Sequence, residues 1–236
     1  MSDQTFHVDH MNWSRINDDL NTLGFAEVGP VLSEEQADLL RSRYDDDGGF
    51  RSHIVMKRHG FGEGEYKYFS YPLPDVLQTL RSQIYPRLVP LANQWAERMG
   101  LNFQYPDTHA DMLARCHEDG QTRPTPLLLK YGCGDYNCLH QDLYGDHVFP
   151  IQLAILLSEP GEEFEGGEFV LTEQRPRMQS KAEIVPLRKG YGVLFAVSQR
   201  PKQGTRGHYR VNQRHGVSRV RSGTRYTAGI IFHDAA

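Results

Sequence analysis

The sequence lacks the features that would place the chain in or across a membrane. Its first residues, MSDQTFHVDHMNWSR, contain no cationic stretch followed by an apolar one, so they do not resemble a secretion signal. No apolar run in the sequence approaches the roughly 20 residues that a membrane-spanning helix needs. We therefore expect a cytoplasmic protein that has no membrane partner.

Cysteine is also scarce. The only cysteines are Cys116, Cys133 and Cys138, and their odd number and spacing fit neither a disulfide framework nor a zinc-binding pattern. We expect reduced thiols. Of the 236 residues, 39% are hydrophobic and 24% are charged, which excludes a disordered chain. The length and composition predict a single domain over residues 1–236.

Acidic residues are absent between Ile184 and His233, a stretch that holds ten arginines and lysines. Residues 184–236 therefore carry a formal charge of +9, from ten basic residues and one acidic residue. Residues 1–183 carry −13, from 16 basic and 29 acidic residues, so the net charge of −4 hides a strong asymmetry. The cationic region can serve a dicarboxylate, a phosphate backbone or the protein's own acidic half.

Residues 1–110 are predicted to be mainly helical. Ser14–Leu23 has a helical pattern, and the capping box Ser33-Glu34-Glu35-Gln36 predicts the start of a second helix. Pro74–Gly100 has apolar residues at helical spacing, although its two internal prolines should kink or divide the helix. The stretch 48–71 is rich in glycine and aromatic residues and is predicted to be an irregular loop.

Beyond these helices the pattern changes to short β-rich runs that are separated by glycine, proline and polar turns. The runs are Leu127–Tyr131, Ile151–Leu157, Glu168–Leu171, Gly192–Val197, Gly216–Val220 and Tyr226–Phe232. Many short strands at such spacing indicate a sandwich or jelly roll. We predict an α+β fold whose mainly β core spans residues 111–236, with the N-terminal helices packed on it.

The pattern His-x-Asp occurs three times, beginning at His7, His117 and His140. His7 lies in a polar tail and His117 in a turn-like stretch, and neither position offers a rigid support for a ligand. His140 and Asp142 follow the predicted strand that ends at Tyr131. On an extended segment residues i and i+2 point to the same side, so this pair can grasp one ion.

A third ligand is expected from a neighbouring strand, and His215 is the candidate. We place it at the mouth of a hairpin formed by the last two predicted strands. Two imidazoles and one carboxylate leave three coordination positions open, the arrangement of non-haem Fe(II) oxygenases, although Zn²⁺ accepts the same ligands. Arg225 can fork onto a carboxylate bound beside the metal, and Tyr131 can add a phenolic hydrogen bond. A 2-oxo dicarboxylic acid would fit such a site.

The β-rich part of the chain resembles the superfamily of 2-oxoglutarate- and Fe(II)-dependent dioxygenases, which fold as a double-stranded β-helix. In KYGCGDYNCLHQD a tyrosine lies nine residues before the histidine, as in the prolyl-hydroxylase type, and HGVSRVRSGTRY places His and Arg ten residues apart. GGEFVL and RKGYGVLF resemble its later strands. The resemblance implies His140, Asp142 and His215 as Fe(II) ligands, Arg225 as the anchor of the distal carboxylate of 2-oxoglutarate, and Tyr131 as a supporting contact.

The same resemblance implies hydroxylation of a C–H bond with O2 and 2-oxoglutarate, with ascorbate as the reductant. The stretch IVMKRHGFGEGEYKYF is similar to a bacterial branch predicted to demethylate damaged nucleic acids oxidatively, as AlkB proteins do. AlkB-type members carry two arginines with five residues between them, well beyond the last metal histidine; Arg219 and Arg225 have that separation but lie closer to His215.

The similarity to that bacterial branch implies a single-stranded or damaged nucleic acid as the substrate. A protein or peptide side chain such as proline is the alternative, and a jelly-roll metal-binding protein without catalysis is a further one. Basic and aromatic residues alternate between Phe50 and Tyr71. Such a mixture can stack an exposed base and attract phosphate, or it can bury its rings against the β core.

Overall fold

The computed structural model describes residues 8–236, and it has the predicted α+β architecture with a mainly β core. The helices are α1 (Trp13–Thr22), α2 (Glu34–Ser42), α3 (Asp75–Arg98) and α4 (His109–Glu118), and short 3-10 helices occupy Val8–His10, Arg43–Asp45, Asp47–Gly49 and Met56–His59. The strands are β1 (Phe25–Val28), β2 (Phe50–Val55), β3 (Gly62–Glu63), β4 (Glu65–Phe69), β5 (Leu127–Tyr131), β6 (Tyr136–His140), β7 (Ile151–Leu156), β8 (Phe164–Gly166), β9 (Phe169–Gln174), β10 (Lys181–Val185), β11 (Gly192–Ala196), β12 (Gln199–Gly204), β13 (Gly207–Val217), β14 (Val220–Gly223) and β15 (Arg225–Ile230).

Two antiparallel sheets form the core. The major sheet has seven strands in the order β1-β11-β7-β15-β5-β4-β2, and the minor sheet has the order β10-β9-β13-β6-β3 with β12 added beside β13. The helices cover the outer face of the major sheet and share its large apolar core. A second apolar cluster, which includes Phe169 and Val217 of the minor sheet and Phe195 of the major sheet, lies between the two sheets. This is a jelly roll, as predicted.

The helical predictions are confirmed with one difference. Helix α2 begins with the predicted capping box, in which Ser33 and Gln36 exchange hydrogen bonds. Helix α3 continues through Pro86 and Pro90 instead of being divided by them. Both prolines lie on its exposed face, where solvent can satisfy the carbonyl groups that a proline leaves unbonded.

The prediction of an irregular loop at residues 48–71 is wrong. This stretch contains β2 and β4, which pair with each other and extend the edge of the major sheet beside β5. Aromatic side chains favour the pleated surface, and the rings of Phe50 and Phe69 stack across the two strands at 4.6 Å. Two glycines at positive φ lie in the connections of this stretch: Gly60 ends the 3-10 helix before β3, and Gly64 separates β3 from β4.

The predicted hairpin beyond His215 is also wrong. Strand β13 belongs to the minor sheet and β15 to the major sheet, and the short β14 between them pairs with β8. The preceding basic stretch forms the hairpin β12–β13. Its inward residues at alternate positions include the polar Gln213 and His215, so the apolar alternation that reveals a strand is weak there.

Much of the cationic C-terminal region pairs with the acidic half of the chain. Arg200 and Lys202 both contact Glu173, and Lys189 contacts Asp38 at 2.6 Å. The asymmetry of charge is therefore in part internal. Among residues 8–236, no helix is long and apolar enough to cross a membrane. The one-domain organisation of residues 1–236 stays a prediction.

Candidate active site

Strands β6 and β13 bring the three predicted metal-site residues together. His140, the last residue of β6, lies directly opposite His215 of β13, and their ring centroids are 4.2 Å apart. The Nε2 atoms of His140 and His215 lie 3.5 and 3.3 Å from the two carboxylate oxygens of Asp142. One ligand atom from each residue falls within 4.8 Å of the others. Such a group can hold a single metal ion.

The backbone around β6 orients the first histidine. Nδ1 of His140 lies 2.7 Å from the carbonyl oxygen of Cys138, which can only accept a hydrogen bond, so Nδ1 carries the proton and Nε2 is left as the ligand atom. Gln141 points away, and its side-chain amide donates to the carbonyl of Gln213 at 2.9 Å. The alternation expected of an extended segment therefore separates Gln141 from the pair His140 and Asp142.

Two further residues hold the carboxylate of Asp142. The hydroxyl of Tyr144 donates to Oδ1 at 2.7 Å, and Nε2 of Gln152 donates to Oδ2 at 2.8 Å. Burial alone would raise the pKa of Asp142, but His215 and His140 outweigh it and hold that pKa well below its ordinary value. The carboxylate, only 8% exposed, is therefore an anionic ligand.

Sequence analysis missed both of these residues, although each leaves a signal. Tyr144 stands two residues after Asp142 and so continues the i, i+2 spacing of the site. Gln152 is the one polar residue in the apolar run IQLAIL of β7. A lone amide in a buried strand needs partners, and here it finds the carboxylate.

His215 sits in the apolar layer between the sheets. Its ring lies 4.7 Å from that of Phe195 and 6.1 Å from that of Phe169. Burial and the neighbouring His140 lower its pKa, while Asp142 opposes this shift. Histidine binds metals as the neutral imidazole. The Nδ1 of His215 has no hydrogen-bond partner within residues 8–236. Two imidazoles and one anionic carboxylate are a donor set that fits Fe(II).

Arg225 is buried and has no counter-ion in the part of the chain that the structure describes. It begins β15, in register with Tyr131 of β5, and it is 1% exposed. The guanidinium donates to the hydroxyl of Thr227, while Nε lacks a hydrogen-bond partner and no carboxylate of residues 8–236 forms an ion pair with it. Burial lowers the pKa of Arg225 to about 10, so the group remains cationic at neutral pH. A buried cation of this kind favours an anionic ligand.

Tyr131 packs beside this cation. The guanidinium carbon of Arg225 lies 5.7 Å from the centre of the Tyr131 ring. The Tyr131 hydroxyl accepts a hydrogen bond from the amide of Asn137 at 3.2 Å, and burial raises its pKa, so the phenol is neutral. Its own proton remains available to a ligand in the cavity.

One cavity of about 360 Å³ connects the metal group to Arg225. Its walls include the His140 cluster, Tyr131, Arg225 and Thr227, together with Tyr66 and Tyr68 of β4, and its rim includes Phe61 and Leu139. This volume lies in the range of small-molecule sites, with space for a small dicarboxylate. The metal group and the buried cation therefore belong to a single site.

The other sequence candidates lie elsewhere. His117 contacts the buried carboxylate of Asp234 at 2.8 Å, and His7 lies outside the described residues. Arg219 stacks over the ring of Tyr136 at 5.0 Å, and Arg221 pairs with Glu168 at 3.4 Å. Neither arginine lines the cavity. Of the two arginines with the AlkB-type separation, Arg225 lines the cavity and Arg219 does not, so the pair does not act together at this site.

Comparison with known proteins identifies the family. Residues 64–235 match the model of the Oxygenase-NA family, described as oxygenase, catalysing oxidative methylation of damaged DNA. The chain belongs to this oxygenase family. Two proteins of Mycobacterium tuberculosis, uncharacterized protein MT2286 of strain CDC 1551 / Oshkosh and uncharacterized protein Rv2227 of strain ATCC 25618 / H37Rv, are each 49% identical to it over 168 residues, which cover 71% of this chain and 72% of each relative.

Solved structures share the fold of this oxygenase. A Pseudomonas putida prolyl-4-hydroxylase has a TM-score of 0.56 at 14% identity, over 92% of this chain and 96% of that one. A Burkholderia pseudomallei oxidoreductase of the 2OG-Fe(II) oxygenase family has a TM-score of 0.57 at 13% identity, over 100% and 99%. The predicted superfamily and the oxygenase class are confirmed. Fe(II), 2-oxoglutarate and O2 are the cofactors of that class.

Proposed function

We propose that this oxygenase uses Fe(II), 2-oxoglutarate and O2 to hydroxylate N-methyl groups on damaged nucleic-acid bases. The observation that carries the proposal is a cavity that holds both a His-Asp-His group and a buried arginine without an ion-pair partner among residues 8–236. In the overall reaction, 2-oxoglutarate becomes succinate and CO2 with one oxygen atom of O2, and the other becomes a hydroxyl on the methyl carbon. The hydroxymethyl group then leaves as formaldehyde, which restores the base.

His140 through Nε2, Asp142 and His215 would hold the metal. Fe(II) bound there supplies the redox chemistry that O2 activation requires. Tyr144 and Gln152 orient the carboxylate of Asp142, and the apolar layer around His215 keeps bulk water from that side.

Arg225 would bind the distal carboxylate of 2-oxoglutarate. Its cation is charged, buried and free of protein carboxylates among residues 8–236, so a ligand carboxylate supplies the missing counter-ion. Thr227 and Tyr131 contact the same guanidinium and restrict its orientation. This arrangement disfavours the alternative of a jelly-roll metal-binding protein without turnover, because simple metal storage has no use for a buried anion site.

The description of the matching family supports a nucleic-acid substrate. A peptide substrate is the second candidate, since a tyrosine nine residues before the metal histidine is the spacing of prolyl hydroxylases. A Trichoplax adhaerens prolyl hydroxylase, solved with a peptide of hypoxia inducible factor, also shares the fold. Its TM-score is 0.51 at 13% identity, over 92% of this chain and 86% of that one. We favour nucleic acid because family membership rests on 172 matched residues.

The test is turnover of defined substrates. The purified protein is incubated with Fe(II), 2-oxoglutarate and ascorbate, and with either an oligonucleotide that carries 1-methyladenine or a proline-rich peptide. We expect succinate, formaldehyde and a 14 Da loss from the oligonucleotide. A 16 Da gain on the peptide, with an unchanged oligonucleotide, would replace this proposal by the peptide alternative.

We place the reaction in the cytoplasm, which the three free cysteines support.

A further inference from the structure

Phe61 differs from the other aromatic residues around it. Most rings of the stretch 50–71 pack within or against β2 and β4, and Tyr71 bonds Asp234. The side chain of Phe61 is instead 48% exposed and lies on the rim of the catalytic cavity. A large apolar ring left in solvent at the mouth of a site is a candidate contact for a ligand.

The backbone holds this ring in place. The N–H of Phe61 donates to the carbonyl of Met56 at 3.2 Å, and its carbonyl accepts from the N–H of Cys138 at 2.9 Å. The next residue, Gly62, has φ +129° and lies so close to the backbone of Tyr136 that a Cβ would clash. The rim is thus anchored to β6, the strand that carries His140.

A second ring extends the surface of Phe61. The imidazole of His59 stacks on it at 5.3 Å with an interplanar angle of 20°. The lining of the same cavity also contains Tyr66 and Tyr68, whose rings meet edge to face at 5.4 Å. A flat heterocycle at the mouth of this cavity therefore meets aromatic surface at Phe61 and His59.

Arg58 supplies charge beside the rings. It is exposed and makes no hydrogen bond or ion pair with any part of the chain that the structure describes. Its neighbour Lys57 is partly neutralised by Glu63 at 3.5 Å. An exposed guanidinium near an exposed phenyl ring offers a cation for a phosphate beside a surface for a base.

We propose that Phe61 and His59 form the stacking platform for a base of a single-stranded nucleic acid and that Arg58 binds an adjacent phosphate. This inference rests on the proposed function. Stacking tolerates any base, because every base has a π face, so the platform gives affinity while the inner cavity selects the methyl group.

The chain offers a matched control for the ring. Phe103 is 46% exposed and does not line the cavity. We would compare F61L, which keeps the apolar bulk without the ring, with F103L. The probe is a fluorescein-labelled ten-nucleotide single strand with one 1-methyladenine, and Mn²⁺ with 2-oxoglutarate replaces the turnover mixture. We expect F61L to weaken binding about tenfold and F61W to retain it, while F103L changes the Kd less than twofold.

Arg206 is the corresponding control for Arg58, since it is also exposed and unpaired within residues 8–236. The dependence of log Kd on log salt concentration measures phosphate contacts. We expect R58A to reduce the magnitude of this slope by about 0.7, the value for one phosphate of a single strand, and R206A to leave it unchanged.

The outcomes separate the two proposals. Suppose that the wild type demethylates the oligonucleotide, that F61L and F103L have the same Kd for it, and that R58A and R206A have the same salt dependence of Kd. The platform is then wrong and the proposed function stands. If the wild type neither binds nor converts the oligonucleotide, both are wrong. Circular dichroism and thermal melting identify an F61L protein that has not folded; F61W and R58A then carry the test.

Discussion

His140 and His215 face each other as a register pair of adjacent antiparallel strands, with their rings 4.2 Å apart. Register decides this site, because a shift of one residue in β13 would turn His215 to the other face of the minor sheet. Gly216 permits the close pairing, since a Cβ there would lie 2.7 Å from the carbonyl oxygen of Asn137 on β6. The metal group is therefore a property of the β6–β13 ladder.

Loss of the anionic ligand should abolish metal binding. Asp142→Asn keeps the shape of the side chain but removes its charge, so we expect the Kd for Mn²⁺ to rise by more than about 100-fold and succinate formation to disappear. Calorimetric titration measures the affinity. The matched control is Asp119→Asn in the exposed motif that begins at His117, which should bind as the wild type does. Equal affinities in the two variants would remove the ligand assignment.

Loss of the buried cation should affect the cosubstrate far more than the metal. We expect Arg225→Ala to raise the Kd for 2-oxoglutarate about 100-fold, as is usual when a buried charge loses its partner, while the Kd for Mn²⁺ changes little. Arg221→Ala, in which an exposed arginine paired with Glu168 is removed, is the control. Separate titrations with metal and with 2-oxoglutarate distinguish the effects. A comparable loss for both ligands would argue against a carboxylate clamp at Arg225.

The His140–Asp142 pair could be predicted because an extended segment places residues i and i+2 on one side, a local rule. His215 and Arg225 were predicted from a hairpin of the last two strands and from the resemblance, and that hairpin was wrong, since β13 and β15 belong to different sheets. Strand pairing joins residues distant in the chain, and local periodicity carries no information about which strands become neighbours. The roles of Tyr144 and Gln152 depend on that pairing and were missed for the same reason.

The two donors to Asp142 should tune metal affinity without being ligands themselves. Gln152→Leu keeps a side chain of similar volume but removes the 2.8 Å hydrogen bond to Asp142, and Tyr144→Phe removes the 2.7 Å hydrogen bond to the same carboxylate. We expect each variant to weaken Mn²⁺ binding by about 10- to 100-fold, because the freed carboxylate can turn away from the site. Gln141→Leu is the control, since Gln141 lies beside the site but bonds Gln213. Unchanged affinity in both test variants would show that strand geometry alone orients Asp142.

His233 should make the protein sensitive to acid. It is fully buried, its Nδ1 accepts a hydrogen bond from the N–H of Phe149 at 3.1 Å, and burial with the nearby Arg81 lowers its pKa to about 3. Between pH 6.5 and 3 the unfolded chain binds a proton at this histidine that the folded chain does not bind, so stability falls as the pH falls through this window. From pH 7.5 to pH 5 the loss at this residue amounts to about 2 kcal/mol.

His233→Asn keeps an acceptor for Phe149 but cannot take up the proton. Its free energy of unfolding should therefore decrease by about 2 kcal/mol less than that of the wild type between pH 7.5 and pH 5, as measured by urea unfolding at each pH. His208→Asn, on the exposed face of β13, should follow the wild type. Only the change in the free energy of unfolding with pH is compared between the variants, because the substitution also changes packing at neutral pH. If the wild-type and His233→Asn curves run parallel, protonation of this buried imidazole does not contribute to acid unfolding.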